Sequence, residues 1–252
     1  MNNKNVLTVG HMTYLNSEVF YHNLAQGPWN LIACPPRKMT RLVIQGKIDV
    51  GPIPIVDIFK FENLLSPVAN LGVATFGPAK SVFIFSKVPI ADISGKVVAL
   101  TSHSSTSIKL LKILFSDYWK VENLTYVDDH EEHDAILLIG DLAIQTKKLG
   151  LYRYCYDLGS AWTEMTDKPF VFAQWVARRD IDRGLLEQFS SDLHRGMKIS
   201  LKSLNKIIAK RRNNFFDDDE IRNYINNFVY EIGHREKQGL RSFKKILEDK
   251  GI

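Results

Sequence analysis

The fold is decided by residues 96–115. There Lys96-Val97-Val98-Ala99-Leu100-Thr101 runs into Ser102-His103-Ser104-Ser105-Thr106-Ser107, and then into the stripe Ile108, Leu111, Phe115 with Leu110 and Leu114 beside it. The first six residues are short, apolar and β-branched, as in a buried strand. The last eight repeat at the spacing of one helix face, and the hydroxyl-rich stretch is the turn between them. A strand that passes through a polar corner into an amphipathic helix is the repeating unit of an α/β protein. Ala135–Ile139, followed by Gly140-Asp141 and the helical Leu142–Lys148, is a second copy of the same unit.

Outward from these corners, the alternation continues over most of the 252 residues. Strands are expected at Val6–Val9, at Ile48–Gly51, along 67–76, 81–86 and 96–101, and at Phe170–Val176. Helices are expected over Ser17–Gln26, closed by Gly27-Pro28, and from Pro35-Pro36 through Met39, Leu42, Val43 and Ile44 to the stop at Gly46. After Arg178 the chain reads as three helical segments, Asp180–Lys210, Asp217–Tyr230 and Glu236–Glu248.

The composition, 45% hydrophobic and 24% charged with two cysteines, is that of a globular chain with a large core; it excludes a disulfide scaffold and a disordered polymer. No run approaches the roughly 18 apolar residues of a membrane-spanning helix, Ala135–Ile139 being bounded by Asp134 and Asp141. Met1-Asn2-Asn3-Lys4-Asn5 enters the first strand without the zones of a secretory signal, which points to the cytoplasm. Cys34 and Cys155 are far apart and outside any CxxC, and read as packing residues. The net charge of +5 invites a nucleic-acid partner. Its distribution argues otherwise, since residues 195–252 hold 14 basic and 8 acidic residues while residues 1–194 hold 19 and 20. Lys198, Lys202, Lys206 and Lys210 follow helical spacing, the pattern of a solvated lysine face. Neither nucleic acid nor membrane is expected as a partner.

Three kinds of candidate chemistry follow. Ser104, Ser105, Thr106 and Ser107 open a helix, where free N–H groups, the helix dipole and the hydroxyls suit a carboxylate; simple capping by one serine is the alternative. Gly140 and Asp141 sit where strand ends meet helix starts, with Asp141 either bonding a substrate hydroxyl or capping the helix that follows. Asp128-Asp129-His130-Glu131-Glu132-His133-Asp134 carries two histidines three apart among carboxylates, but lies between two strands and reads as a solvated loop rather than a metal centre. GxSxG, HExxH, Walker and GxGxxG motifs are absent from the sequence, and no metal or cofactor is expected.

Taken together, these corners resemble one family. Tyr14-Leu15-Asn16, Gly46-Lys47-Ile48-Asp49-Val50-Gly51-Pro52, Gly77-Pro78-Ala79-Lys80-Ser81-Val82, Ala99-Leu100-Thr101-Ser102, Thr106-Ser107, Leu138-Ile139-Gly140-Asp141, Asp157-Leu158-Gly159 with Trp162, and Pro169-Phe170-Val171-Phe172-Ala173 with Trp175 stand in the order and approximate spacing of the chorismate dehydratases. Those enzymes open the futalosine route to menaquinone. The resemblance implies a two-lobed α/β fold like that of type II periplasmic binding proteins, with two hinge crossings and a ligand cleft between lobes. It puts 1–86 with 177–252 in the first lobe and 87–176 in the second.

The resemblance also implies loss of water from chorismate to give 3-[(1-carboxyvinyl)oxy]benzoate. The family's motif asparagine and serine match Asn16 and Ser81, the catalytic candidates, and Tyr14, Pro52, Ser105, Thr106, Ser107, Gly140 and Asp141 are the expected substrate-binding residues. No motif supplies a general base, so the enolpyruvyl carboxylate of the substrate is expected to take the ring proton. The chain departs from the family pattern in three places. Ser17-Glu18-Val19 lacks the usual proline, Thr166-Asp167-Lys168-Pro169 stands where Thr-Gly-Leu-Pro is common, and Lys80 replaces a small or apolar residue and is expected to reach a substrate carboxylate. Two competing expectations remain. One is a non-catalytic binding protein for a small carboxylate, or a dehydratase for a related cyclohexadienyl acid, on the same scaffold. The other is the sister enzyme making 1,4-dihydroxy-6-naphthoate, whose Ser-Pro-Cys-Pro-Asn-Asp motif is missing where His11-Met12-Thr13-Tyr14-Leu15-Asn16 stands.

Overall fold

The structure, a computed structural model, describes residues 6–213 and 215–252, the Arg37 side chain excepted. The expectation placed on Met1–Asn5 lies outside the described residues. In chain order the strands are β1 Leu7–His11, β2 Trp29–Ala33, β3 Val50–Pro54, β4 Leu65–Thr75, β5 Val82–Ser86, β6 Val97–Leu100, β7 Thr125–Asp128, β8 Ala135–Ile139, β9 Tyr154–Asp157, β10 Phe170–Arg178 and β11 Val229–Glu231. The α-helices are α1 Glu18–Tyr21, α2 Pro36–Ile44, α3 Ile55–Lys60, α4 Ser105–Ile113, α5 Gly140–Lys148, α6 Leu158–Thr166, α7 Arg183–Lys202, α8 Asn205–Arg211, α9 Asp218–Ile225 and α10 His234–Lys250. Among the described residues, no helix is long and apolar enough to cross a membrane.

The chain divides into two compact units. Unit 1 takes residues 1–73 and 172–232, and unit 2 takes 74–171 and 233–252. Both sheets are mixed. A six-stranded sheet has the order β11-β4-β10-β3-β1-β2, and a five-stranded sheet in unit 2 has the order β7-β6-β8-β5-β9. In unit 1, β1 runs parallel to β2 and β3, while β10 is antiparallel to β3 with Trp175 opposite Pro52. Met12, Cys34, Met39, Val43, Ile48 and Ile53 form one apolar core there. In unit 2, β6 is parallel to β7 and β8, and β5 is antiparallel to β8 and β9. Phe83, Phe85, Ala99, Ile136, Leu138 and Ala143 fill the core of that unit.

This division corrects the expected lobes. Residues 82–86 pair with β8 and β9 and therefore belong to unit 2. Residues 173–177 pair with β3 and therefore belong to unit 1. The larger correction concerns α10, expected on the first lobe. It belongs to unit 2 because Phe243 sits edge-on to Trp162 and Phe170, at 5.7 and 4.9 Å between ring centres. Gly239 lets the helix in, since a Cβ there would lie 2.0 Å from the Pro169 carbonyl.

Several helices differ from their sequence pattern. The expected Ser17–Gln26 helix is a 3-10 turn at Leu15–Ser17 followed by the single turn α1, because the chain at Asn23 is pressed onto Gly196 of α7 and its amide donates to Ser200 Oγ. Asp180–Lys210 breaks at Ser203, whose backbone is extended, so the lysine stripe spans two helices and Ile199 is exposed. Asp217–Tyr230 ends early because Val229 and Tyr230 join the sheet edge, with Ile232 N–H donating to Asn70 O at 2.7 Å. The start of α9 carries a full capping box between Asp217 and Glu220.

Asp167 closes α6 at φ 52°, in the left-handed region where a Cβ is strained. Asp167→Gly is therefore expected to raise stability by about 0.5–1 kcal/mol, read as a higher urea midpoint at unchanged m; an unchanged or lower midpoint would contradict the strain at Asp167.

Candidate functional site

In unit 2 four strand ends meet at one edge of the sheet. β6 is parallel to β8, and β8 to β9 through the antiparallel β5; β8 and β9 lead directly into Gly140 and Leu158, the first residues of α5 and α6, and β6 leads through residues 101–104 into Ser105, the first residue of α4. The antiparallel β5 begins at the same edge, preceded by Ser81, whose carbonyl accepts from Gly140 N–H at 2.8 Å. Ser81, Ser105, Thr106, Ser107, Gly140 and Asp141 are thus brought together at the sheet edge where ligands gather in α/β proteins.

Local bonding settles the two capping questions. Ser104 is the N-cap of α4, its Oγ accepting from Ser107 N–H and donating to Ser107 Oγ, both at 3.0 Å. Thr106 and Ser107 are buried in the first turn, and Ser105 Oγ is buried without a hydrogen-bond partner. Asp141 is not the cap of its helix. Ile139 holds that position, Gly140 starts the helix at φ 65°, and Asp141 lies inside the first turn, favourably placed for the helix dipole.

Ser81 is 2% exposed, with Oγ 3.4 Å from Ala79 O. The loop before it is held from α6 by an acid that sequence reasoning quoted in a motif and gave no role. Asp157 caps α6, Oδ1 accepting from Gly159 N–H at 2.8 Å and Ser160 N–H at 3.1 Å. The same carboxylate accepts from Ala79 N–H at 2.9 Å and Lys80 N–H at 2.7 Å. Burial pushes the Asp157 carboxyl above the usual carboxylate range, against the pull of those N–H groups. An acid directly before Leu-Gly at a strand-to-helix corner is an N-cap signature, and that was the available signal. The second pair of bonds, from residues 77 and 78 positions away, has no sequence trace. The Lys80 side chain lines a surface groove of about 710 Å³ together with Lys147, Lys148 and Ser160, and Ser81 does not line it.

In unit 1 the carboxyl ends of β1 and β3 carry the other candidates. Tyr14 and Asn16 follow β1, and Pro52 is buried inside β3. Asn16 is half-buried in the 3-10 turn and caps neither that turn nor α1, whose cap positions belong to Tyr14 and Ser17. Ser17 Oγ donates to Asn16 Oδ1 at 3.2 Å, so the amide oxygen is engaged and its NH₂ group is the part directed to donation. The loop is pinned at both ends by one guanidinium: Arg211 Nη1 is 3.0 Å from Thr13 O and 3.0 Å from Glu18 Oε1. Glu18 is buried, and Lys210 approaches its other oxygen at 3.3 Å. Glu18 is thus a buried carboxylate that needs, and has, two cations.

His11 borders the same network. Its ring stacks obliquely on Tyr21 at 4.2 Å, and Nε2 is buried without a hydrogen-bond partner. Tyr21 Oη donates to Gly10 O and accepts from Met12 N–H. Burial pushes His11 below the usual histidine value, opposed by Glu18 and reinforced by Lys210 and Arg211. A histidine with a lowered folded pKa stays neutral while the unfolded chain takes up a proton, so stability is full above about pH 6.5 and falls as pH drops through that value. The melting temperature should fall between pH 7 and pH 5, and His11→Phe should flatten that fall; an unchanged slope would show that His11 titrates normally.

The remaining candidates are structural. Cys34 is in the core of unit 1 with its thiol pushed up by burial, and Cys155 is half-buried with its thiol at about 11. His133 uses both ring nitrogens, one on Glu131 O and one on Tyr152 Oη. Among the described residues, no three His, Cys, Asp or Glu side chains are grouped to hold a metal ion.

The architecture is that of the periplasmic binding proteins. The chain can be superposed on the aliphatic sulphonate binding protein of Escherichia coli with TM-score 0.65 and 15% identity, covering 98% of this chain and 87% of that one. It also superposes on a structural-genomics protein of Archaeoglobus fulgidus with TM-score 0.80 and 16% identity over 99% of both chains. Within that architecture the chain belongs to the menaquinone biosynthesis family, whose model matches residues 7–249. A chorismate dehydratase of Thermus thermophilus is 24% identical over 261 aligned positions, which cover 95% of this chain and 94% of that one.

Proposed function

We propose that this protein is a chorismate dehydratase, removing water from chorismate to give 3-[(1-carboxyvinyl)oxy]benzoate on the futalosine route to menaquinone, in the cytoplasm. The observation that carries the proposal is the end-to-end match to the Thermus enzyme, at 95% and 94% of the two chains. The residues on the page suit the reaction. The leaving hydroxyl is allylic, and its loss with the neighbouring ring proton yields an aromatic ring, so the protein's main tasks are to orient the substrate and assist the hydroxyl.

In this proposal the Asn16 amide donates to the departing hydroxyl or to the enolpyruvyl carboxylate, and Ser81 anchors the ring. Tyr14, Pro52, Ser105, Thr106, Ser107, Gly140 and Asp141 contribute to substrate binding. The enolpyruvyl carboxylate accepts the ring proton, and neutral donors stabilise the shift of charge.

The test is to incubate the purified protein with chorismate and follow the aromatic enolpyruvyl benzoate by absorbance and mass. Steady product release supports the proposal. Binding without turnover supports the second reading, a carboxylate-binding protein, which the fold shared with the sulphonate binding protein keeps in play. Absence of binding rejects both.

A further inference from the structure

We propose that Asp157 is a positioning residue for Ser81. Its carboxylate fixes the backbone of the Gly77–Ser81 loop and thereby the hydroxyl that follows it. The inference rests on the proposal that Ser81 acts on the substrate.

An N-cap needs only the N–H groups of its own helix, and Gly159 and Ser160 supply those. The bonds from Ala79 and Lys80 add nothing to α6, but they use the same carboxylate to hold another segment. That segment requires holding, because Lys80 has φ 60°, a left-handed conformation that a residue with a Cβ leaves readily. The grip is extended by Thr163, whose Oγ1 accepts from Gly77 N–H at 2.9 Å, and by the bare Gly159, where a Cβ would come within 2.6 Å of Gly77 O. Downstream, Gly140 N–H holds the Ser81 carbonyl. Gly77, Ala79 and Lys80 are thus each held from α6 or its cap, and the Ser81 carbonyl is held from α5.

Asp157→Asn is the discriminating variant. An amide in this place keeps Oδ1 for Ala79, Gly159 and Ser160, and sets an N–H donor against Lys80 N–H. The helix cap survives and the hold on Lys80 is lost. The expected result with chorismate is a fall in kcat of about 30-fold with KM changed by less than about threefold, since misplacing a reacting group by a fraction of an ångström costs rate more than binding.

On a Ser81→Ala background the same change should lower kcat by less than about twofold, because a positioning residue has nothing left to position. Adding Lys80→Gly to Asp157→Asn should restore about fivefold, since glycine adopts φ 60° without the anchor. Thr163→Val, a milder variant, should show a smaller loss that also vanishes on the Ser81→Ala background.

Losses that multiply in full with Ser81→Ala, or an unchanged kcat in Asp157→Asn, overturn the inference while leaving Ser81 its role. A Ser81→Ala enzyme at the native rate removes the role of Ser81 and the inference with it.

Discussion

Asn16→Ala and Ser81→Ala are each expected to lower the turnover of chorismate by about 10²–10³, the first by removing a neutral donor aimed at developing charge and the second by letting the ring leave its reactive orientation. Stability should hardly change. Ser81 is buried, but its replacement removes one oxygen whose contact to Ala79 O is long, at 3.4 Å. Asn16 caps no helix, so its loss does not carry the roughly 1 kcal/mol of a deleted cap. Kinetics and unfolding measured on the same preparations separate the two roles: kcat falls while the unfolding free energy stays within about 0.5 kcal/mol of the native protein. A near-native rate in either variant would remove that residue from the catalytic pair, and a lower midpoint with unchanged kcat would assign it to the fold.

The largest effect on stability is expected from Phe243→Ala. Phe243 is 1% exposed and meets Trp162 and Phe170 in edge-to-face pairs. Deleting a buried phenyl ring costs about 3–5 kcal/mol through lost transfer energy and the cavity left behind, and the aromatic pairs add to it. Trp162 Nε1 donates to Pro169 O beneath the same helix, so the cavity opens beside a polar contact that cannot move far. Equilibrium urea unfolding should show an unfolding free energy lower by that amount, whereas a loss under about 1 kcal/mol would mean that α10 contributes little to unit 2.

The corners were legible in the sequence, and so was the fold class. Lys96–Phe115 became β6 and α4, and 135–148 became β8 and α5, because periodicity and turn chemistry act over a few residues. Two kinds of fold feature were not legible. Edge strands such as β2 and β11 take their conformation from a partner far away in sequence, as the bond between Ile232 and Asn70 shows. The placement of α10 depended on which aromatic residues its Phe243 would find, and an amphipathic stripe does not specify its partner.

At the site, the motif residues Asn16 and Ser81 were visible, but what holds them was not. Asp157 reaches back to Lys80, and Arg211 reaches back to Thr13 and Glu18, across separations that leave no local pattern. The capping alternative for Asp141 fell away for a different reason. Gly140 at φ 65° starts the helix one residue earlier than the polar side chain suggested.

The chain leaves unit 2 at Val171, builds the rest of unit 1, and returns at Gly233 to supply α10. On a ribosome this order has a cost in time. Residues 74–171 emerge with Trp162 and Phe170 lacking the ring that covers them, and they wait while about seventy further residues are made, several seconds at ordinary elongation rates. Unit 1 has all its strands before that wait ends. Unit 2 is the half exposed to aggregation and to proteases during synthesis, and a stop codon anywhere before Phe243 would leave it permanently unfinished.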